Sequence, residues 1–162
     1  MKRPLVLFAL FAALALPAVA QQIEFRSLQQ DSSLPVEVAA DSLSVDQSSG
    51  LAVFDGNVVV TQGAMTIKAA NARVENKTDG SGIERLFFTG RVTFASDTEA
   101  AEADEAVYTV AEGQVVMTGD VLLTQGQTTI AGQKLVYDLQ KGTGQMQGRV
   151  QTSFVPKSGT TP

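Results

Sequence analysis

The chain contains no cysteine, no histidine and no tryptophan, and only five prolines and two tyrosines in 162 residues. Without cysteine, disulfide frameworks and thiolate zinc sites are excluded; without histidine, imidazole-ligated metals and every nucleophile–His arrangement go as well. Charge is scarce too, at 18 % of residues, and it leans acidic, with 12 Lys and Arg against 17 Asp and Glu for a net −5. A net-acidic chain has no bulk electrostatic footing on nucleic acid or on an anionic membrane surface. Carboxylates crowd only at Glu99, Glu102, Asp104 and Glu105, a run that reads as a solvated strand face rather than a metal or acid–base site. Nothing in this inventory calls for a catalytic residue, a metal or a cofactor, and no enzyme is expected.

Long apolar runs are equally rare, and the one that exists is at the start. Lys2 and Arg3 precede an unbroken apolar stretch from Leu5 to Leu16, then a helix-breaking Pro17 and Ala18-Val19-Ala20. Twelve apolar residues fall short of the roughly 20 that span a bilayer, so residues 1–20 read as a secretory signal with an A-x-A cleavage site before Gln21. Removing Lys2 and Arg3 with it takes the net charge from −5 to −7. An exported chain without cysteine points to the periplasm. Residues 21–35 are polar and aperiodic and read as a flexible arm, and 156–162 as a disordered tail, leaving one domain over 36–155.

What fills that domain is a repeat. Gly56-Asn57-Val58-Val59-Val60-Thr61-Gln62-Gly63 returns as Gly119-Asp120-Val121-Leu122-Leu123-Thr124-Gln125-Gly126, with weaker copies from Gly90-Arg91-Val92 and Gly148-Arg149-Val150. This B unit alternates with an A unit of the form apolar-x-small-x-x-apolar-x-apolar: Val38, Ala40, Leu43, Val45; then Ile67, Ala69, Ala72, Val74; then Ala101, Ala103, Ala106, Tyr108; then Ile130, Gly132, Leu135, Tyr137. Each B glycine stands thirteen positions before the next A small residue, and each A small residue sixteen before the next B glycine, except 69 to 90, where turn-rich Asn76 to Gly82 lengthens one loop.

Both units carry the period of two that marks a strand with one buried face, as in Leu86, Phe88, Gly90, Val92 and Phe94. In B the inward parity runs straight through the glycine, which argues for a bend there rather than a hairpin turn. In A the parity slips by one just after the small residue in every copy, the mark of a bulge or bend. Passes that bend at aligned corners stack into an all-β, antiparallel arrangement of two facing sheets in a V.

The phased pairing of Gly56-Asn57-Val58 and Gly119-Asp120-Val121 with Val60-Thr61-Gln62-Gly63 and Leu123-Thr124-Gln125-Gly126, each followed by Ile-x-small, resembles the OstA-like family over about Pro35 to Val155. With a cleavable leader before one short domain, the likeness is to the periplasmic bridge members that serve lipopolysaccharide transport. The resemblance implies a β-jellyroll with an apolar interior groove. It also implies end-to-end assembly with an inner-membrane LptC-like jellyroll at the N-terminal edge, and with an outer-membrane LptD-like periplasmic domain or another copy at the C-terminal edge.

Read from the residues alone, the V would be lined by Leu43, Val45, Phe54, Val58, Val60, Leu86, Phe88, Val92, Phe94, Val121, Leu123, Tyr137 and Val150. Such walls suit acyl chains, here the lipid A chains of lipopolysaccharide. They suit equally a closed sandwich core of a structural envelope module that binds proteins through its sheet edges and carries no lipid. Arg91 and Arg149, at equivalent positions after B glycines, are either lipid-phosphate contacts at the groove mouth or plain corner residues. A stack that does not close leaves unpaired edges, marked by Val36, Val38 and Ala40 on the first pass and by Met146, Val150 and Thr152 on the last.

Overall fold

The computed structural model describes residues 22–24 and 33–154, and the leader and tail expected at 1–20 and 156–162 lie outside them. Eleven strands are described: β1 (Gln22–Glu24), β2 (Glu37–Ala39), β3 (Ser42–Asp46), β4 (Leu51–Gln62), β5 (Met65–Asn76), β6 (Ile83–Ala95), β7 (Glu99–Thr109), β8 (Gln114–Gln125), β9 (Thr128–Asp138), β10 (Thr143–Gln147) and β11 (Gln151–Phe154). Every pairing is antiparallel. The order β1-β10-β9-β8-β7-β6-β5-β4-β2 runs as one continuous sheet, with β3 also on β4 and β11 also on β9. Between β4 and β10, sequence neighbours are neighbours in space, as hairpins joined in series must be.

The corners lie where the repeat puts them. Gly56 and Asn57 both have positive φ, at 79° and 47°, and the pairs Gly90–Arg91, Gly119–Asp120 and Gly148–Arg149 repeat this. Across each of the first three the ladder register shifts: between Asp55 and Val58 on β4, Thr89 and Val92 on β6, Thr118 and Val121 on β8. One extra residue on the B strand is a bulge, and it bends the strand while keeping the inward parity through the glycine. The A strands bend opposite, so Ala69 and Ala72 are both buried although three apart. The sixteen-residue spacing has a physical cause: the residue after each A small residue lies over the next B glycine. A Cβ on Gly56 would meet Asp41, on Gly90 Ala70, on Gly119 Asp104 and on Gly148 Gln133, each at 2.7 Å or closer.

The bends divide the sheet into two walls. Wall I holds the B segments before the glycines and the A segments after the small residues; wall II holds the rest. The two facing sheets expected from the sequence are therefore one hydrogen-bonded sheet folded along its corner line. The outermost passes break there: the first splits into β2 and β3, stitched by the Asp41 amide donating to the Gly56 carbonyl at 2.9 Å, and the last into β10 and β11. Gln22–Glu24, inside the segment expected as an arm, is a strand on β10.

Candidate binding groove and sheet edges

The inward positions of both walls carry Val, Leu, Ile, Met and Phe because the period-two pattern places them there, each contributing roughly 1.5–3 kcal/mol when removed from water. Of the thirteen expected lining residues, Val58, Val60, Leu86, Phe88, Val92, Phe94, Val121, Leu123 and Tyr137 are all buried and Phe54 is half-buried. The remaining three are open: Leu43 is 53 % exposed, Val45 61 % and Val150 40 %, and Phe154 beyond them is 68 % exposed. The interior is thus shut in the middle of the stack and surfaces at its two ends.

What shuts it is contact between the walls. Phe94 on wall II meets Tyr137 on wall I with ring centroids 5.7 Å apart and planes tilted 50°, an arrangement aromatic pairs favour. The Tyr108 hydroxyl on wall I donates to Gln62 Oε1 on wall II, and Gln62 Nε2 in turn donates to the Leu34 carbonyl at 2.8 Å. Burial pushes the Tyr108 phenol up to about 12, partly offset by the Gln62 hydrogen bond. Tyr137 is raised further, first by burial and then by the carboxylates of Glu99 and Asp138. Glu99 is itself buried on wall II and accepts from Gln125 Nε2 at 2.9 Å, whereas Glu102, Asp104 and Glu105 face solvent. The acidic run is therefore not wholly a solvated face. Both buried polar residues had a signal in the sequence: Gln62 continues the inward series Val58, Val60, and Glu99 begins the inward series Ala101, Ala103.

Arg91 and Arg149 sit on the corners, exposed, with φ of 53° and 48°. Each lines a cleft at the same place in the repeat, one of about 440 Å³ with Asn57, Lys68 and Thr93, the other of about 300 Å³ with Asp120, Ala131 and Gln151. Lys68 and Thr93 alternate with the buried series and so face away from the interior. Of the expected edge residues, Val36 and Ala40 flank β2, Val38 lies in it, and Val150 and Thr152 mark β11. Met146 is buried on β10, whose outer side carries β1. No group of His, Cys, Asp and Glu that could hold a metal occurs among the described residues.

Residues 37–143 match the model of a family described as LptA/(LptD N-terminal domain) LPS transport protein. The chain belongs to this family. Among LptA-family relatives, the lipopolysaccharide export system protein LptH of Pseudomonas aeruginosa is 30 % identical over 71 % of this chain and 69 % of its own length. An uncharacterized protein of Rhizobium meliloti is 28 % identical over 98 % of both chains. The crystal structure of LptH, titled the LptA homologous periplasmic component of the lipopolysaccharide transport device of Pseudomonas aeruginosa, superposes with a TM-score of 0.70 at 24 % identity, covering 78 % of this chain and 99 % of that one. That likeness carries the fold: the jellyroll implied by the family resemblance is the architecture found.

Proposed function

We propose that this protein is a non-enzymatic periplasmic carrier that shields the acyl chains of lipopolysaccharide in its apolar interior while they pass between the inner and outer membranes. The observation that carries this reading is the interior that surfaces at both ends, at Leu43 and Val45 on β3 and at Val150 and Phe154 at the two ends of β11, strands with one neighbour each among the described residues. The stack begins with an A unit and ends with a B unit. A second LptA-family jellyroll placed end to end continues the alternation, joining edge to edge and apolar face to apolar face. The N-terminal edge then takes an inner-membrane LptC-like partner, and the C-terminal edge an outer-membrane LptD-like domain or another copy. Export names among the relatives support the same reading.

An acyl chain of a dozen carbons gains on the order of 10 kcal/mol gross at about 0.8 kcal/mol per CH₂. Part of that has to separate the walls where Phe94 meets Tyr137. These contacts also favour a second reading, a closed structural module of the envelope that binds proteins by its edges alone. A photoreactive residue at Phe54 or at Phe94, irradiated in cells, separates the two. Lipopolysaccharide adducts at both positions are expected of the carrier. Protein adducts only, or none at Phe94, would leave the closed module as the reading.

A further inference from the structure

The two ends of the sheet are not equivalent. At the first edge β2 and β3 each have one strand neighbour among the described residues, and at the last so does β11. β10 has two: β9, and on its outer side β1, in the register Gln22↔Gln145, Ile23↔Gly144, Glu24↔Thr143. Yet β1 immediately precedes β2, which lies at the opposite edge. The first two strands of the chain thus lie at opposite ends of the stack.

We propose that β1 is a self-supplied cap on the β10 edge, and that a second copy of this chain must displace it before that copy's β3 can extend wall I. The proposal rests on the reading of the edges as assembly surfaces. An uncovered strand is a template for any extended chain. Twelve residues separate Glu24 from Glu37, a reach of at most about 45 Å, against about 38 Å for eight strand spacings of a flat sheet, so the cap is attainable within one chain. A tethered segment competes within its own chain at an effective concentration that dilution does not lower, an advantage a stray strand lacks. A whole second copy does better. It brings the five residues of β3 to wall I and the three of β2 to wall II on one rigid edge, against three paired residues of β1. It also brings the exposed Leu43 and Val45 against Val150 and Phe154. The cap therefore selects an intact jellyroll edge over a loose extended segment.

The absence of cysteine allows a clean test. Opposed residues of an antiparallel pair have Cα atoms about 4.5–5.5 Å apart, within disulfide range, so Gln22→Cys with Gln145→Cys staples β1 in place and no other thiol competes. Sedimentation of the exported chain is followed with and without reductant. The expected result is an intramolecular disulfide that weakens self-association at least tenfold, restored on reduction. The cap is overturned if the oxidised protein assembles as readily as the reduced, or if the disulfide forms only between chains. If wild type and reduced variant both stay monomeric, the edge-assembly reading has itself failed and the cap falls with it.

Discussion

The corner residue after each B glycine shows how one backbone demand is met by four different side chains. Asn57 and Asp120 carry the short polar side chains that enter the left-handed region most readily, and each bonds a neighbouring pass: Asn57 Nδ2 donates to Asp41 Oδ2 at 2.8 Å, and Asp120 Oδ1 accepts from Gln133 Nε2 at 3.4 Å. Arg91 and Arg149 hold the same conformation with a long side chain in place of that short polar one, at a cost of about 1 kcal/mol. Arg91→Asn should therefore stabilise the fold by about 0.5–1 kcal/mol, read as a higher urea midpoint. Gly90→Ala should do the reverse, by about 2 kcal/mol or more, because φ is +84° and the new Cβ would lie 2.5 Å from that of Ala70. The buried phenols give a pH prediction. In the unfolded chain they ionise near 10, whereas folded Tyr108 holds its proton to about 12 and Tyr137 to higher pH still. A group whose folded pKa is raised contributes stability below its unfolded pKa and loses it as pH rises. Stability should be flat with respect to these groups at neutral pH and fall above about 10, less steeply in Tyr137→Phe, as equilibrium denaturation at stepped pH will report.

At the scale of the strand, burial divides positions that the sequence groups together. Val58 and Leu43 both hold inward places in the repeat and share an apolar character, yet Val58 is 1 % exposed and Leu43 53 %. Val58→Glu puts a carboxylate among closed walls and should cost about 3 kcal/mol or more, unfolding much of the population. Leu43→Glu lies at an open edge and should leave the thermal transition nearly in place while abolishing both lipid loading and end-to-end association, since an inward charge at an edge blocks pairing. Circular dichroism beside co-purified lipopolysaccharide separates the two outcomes. The strands were legible because a period of two, four times over in constant phase, leaves few other structures. Which of them are shut was not, since the same apolar alternation serves a filled core and an open groove. β1 escaped because three residues in a polar segment carry no period; only the sheet edge they land on makes them a strand.

For the molecule as a whole, the series of hairpins has a direction. On the proposed reading, an edge that begins with A takes one that ends with B, a heterologous contact that grows into a filament unless its rotation closes a ring. Weight-average mass by light scattering should climb steadily with concentration, without a plateau at the dimer. A plateau at two copies would mean a closed, two-fold contact and a different use of the edges. The V read from the parity slips is the folded sheet that the bulges make; what the pattern does not encode is how near the walls approach, which depends on whether Phe94 reaches Tyr137 and Tyr108 reaches Gln62.

The lengthened loop between β5 and β6 gives the molecule a place to be cut. It is exposed from Asn76 to Gly82 and held in its turn by the Gly80 amide on the Lys77 carbonyl and the Lys77 amide on the Gly82 carbonyl, both at 2.9 Å. The nearby basic side chains Arg73 and Arg85 are engaged with Glu75 and the Phe87 ring, so trypsin at low dose should nick first after Lys77. The two pieces would part the stack between neighbouring hairpins, yet the β5–β6 ladder and the shared interior would still hold them as one body. A jellyroll that can be severed without coming apart can also be supplied in two halves, and rejoining of separately made residues 21–77 and 78–162 would turn the closing of its walls into an event that can be timed.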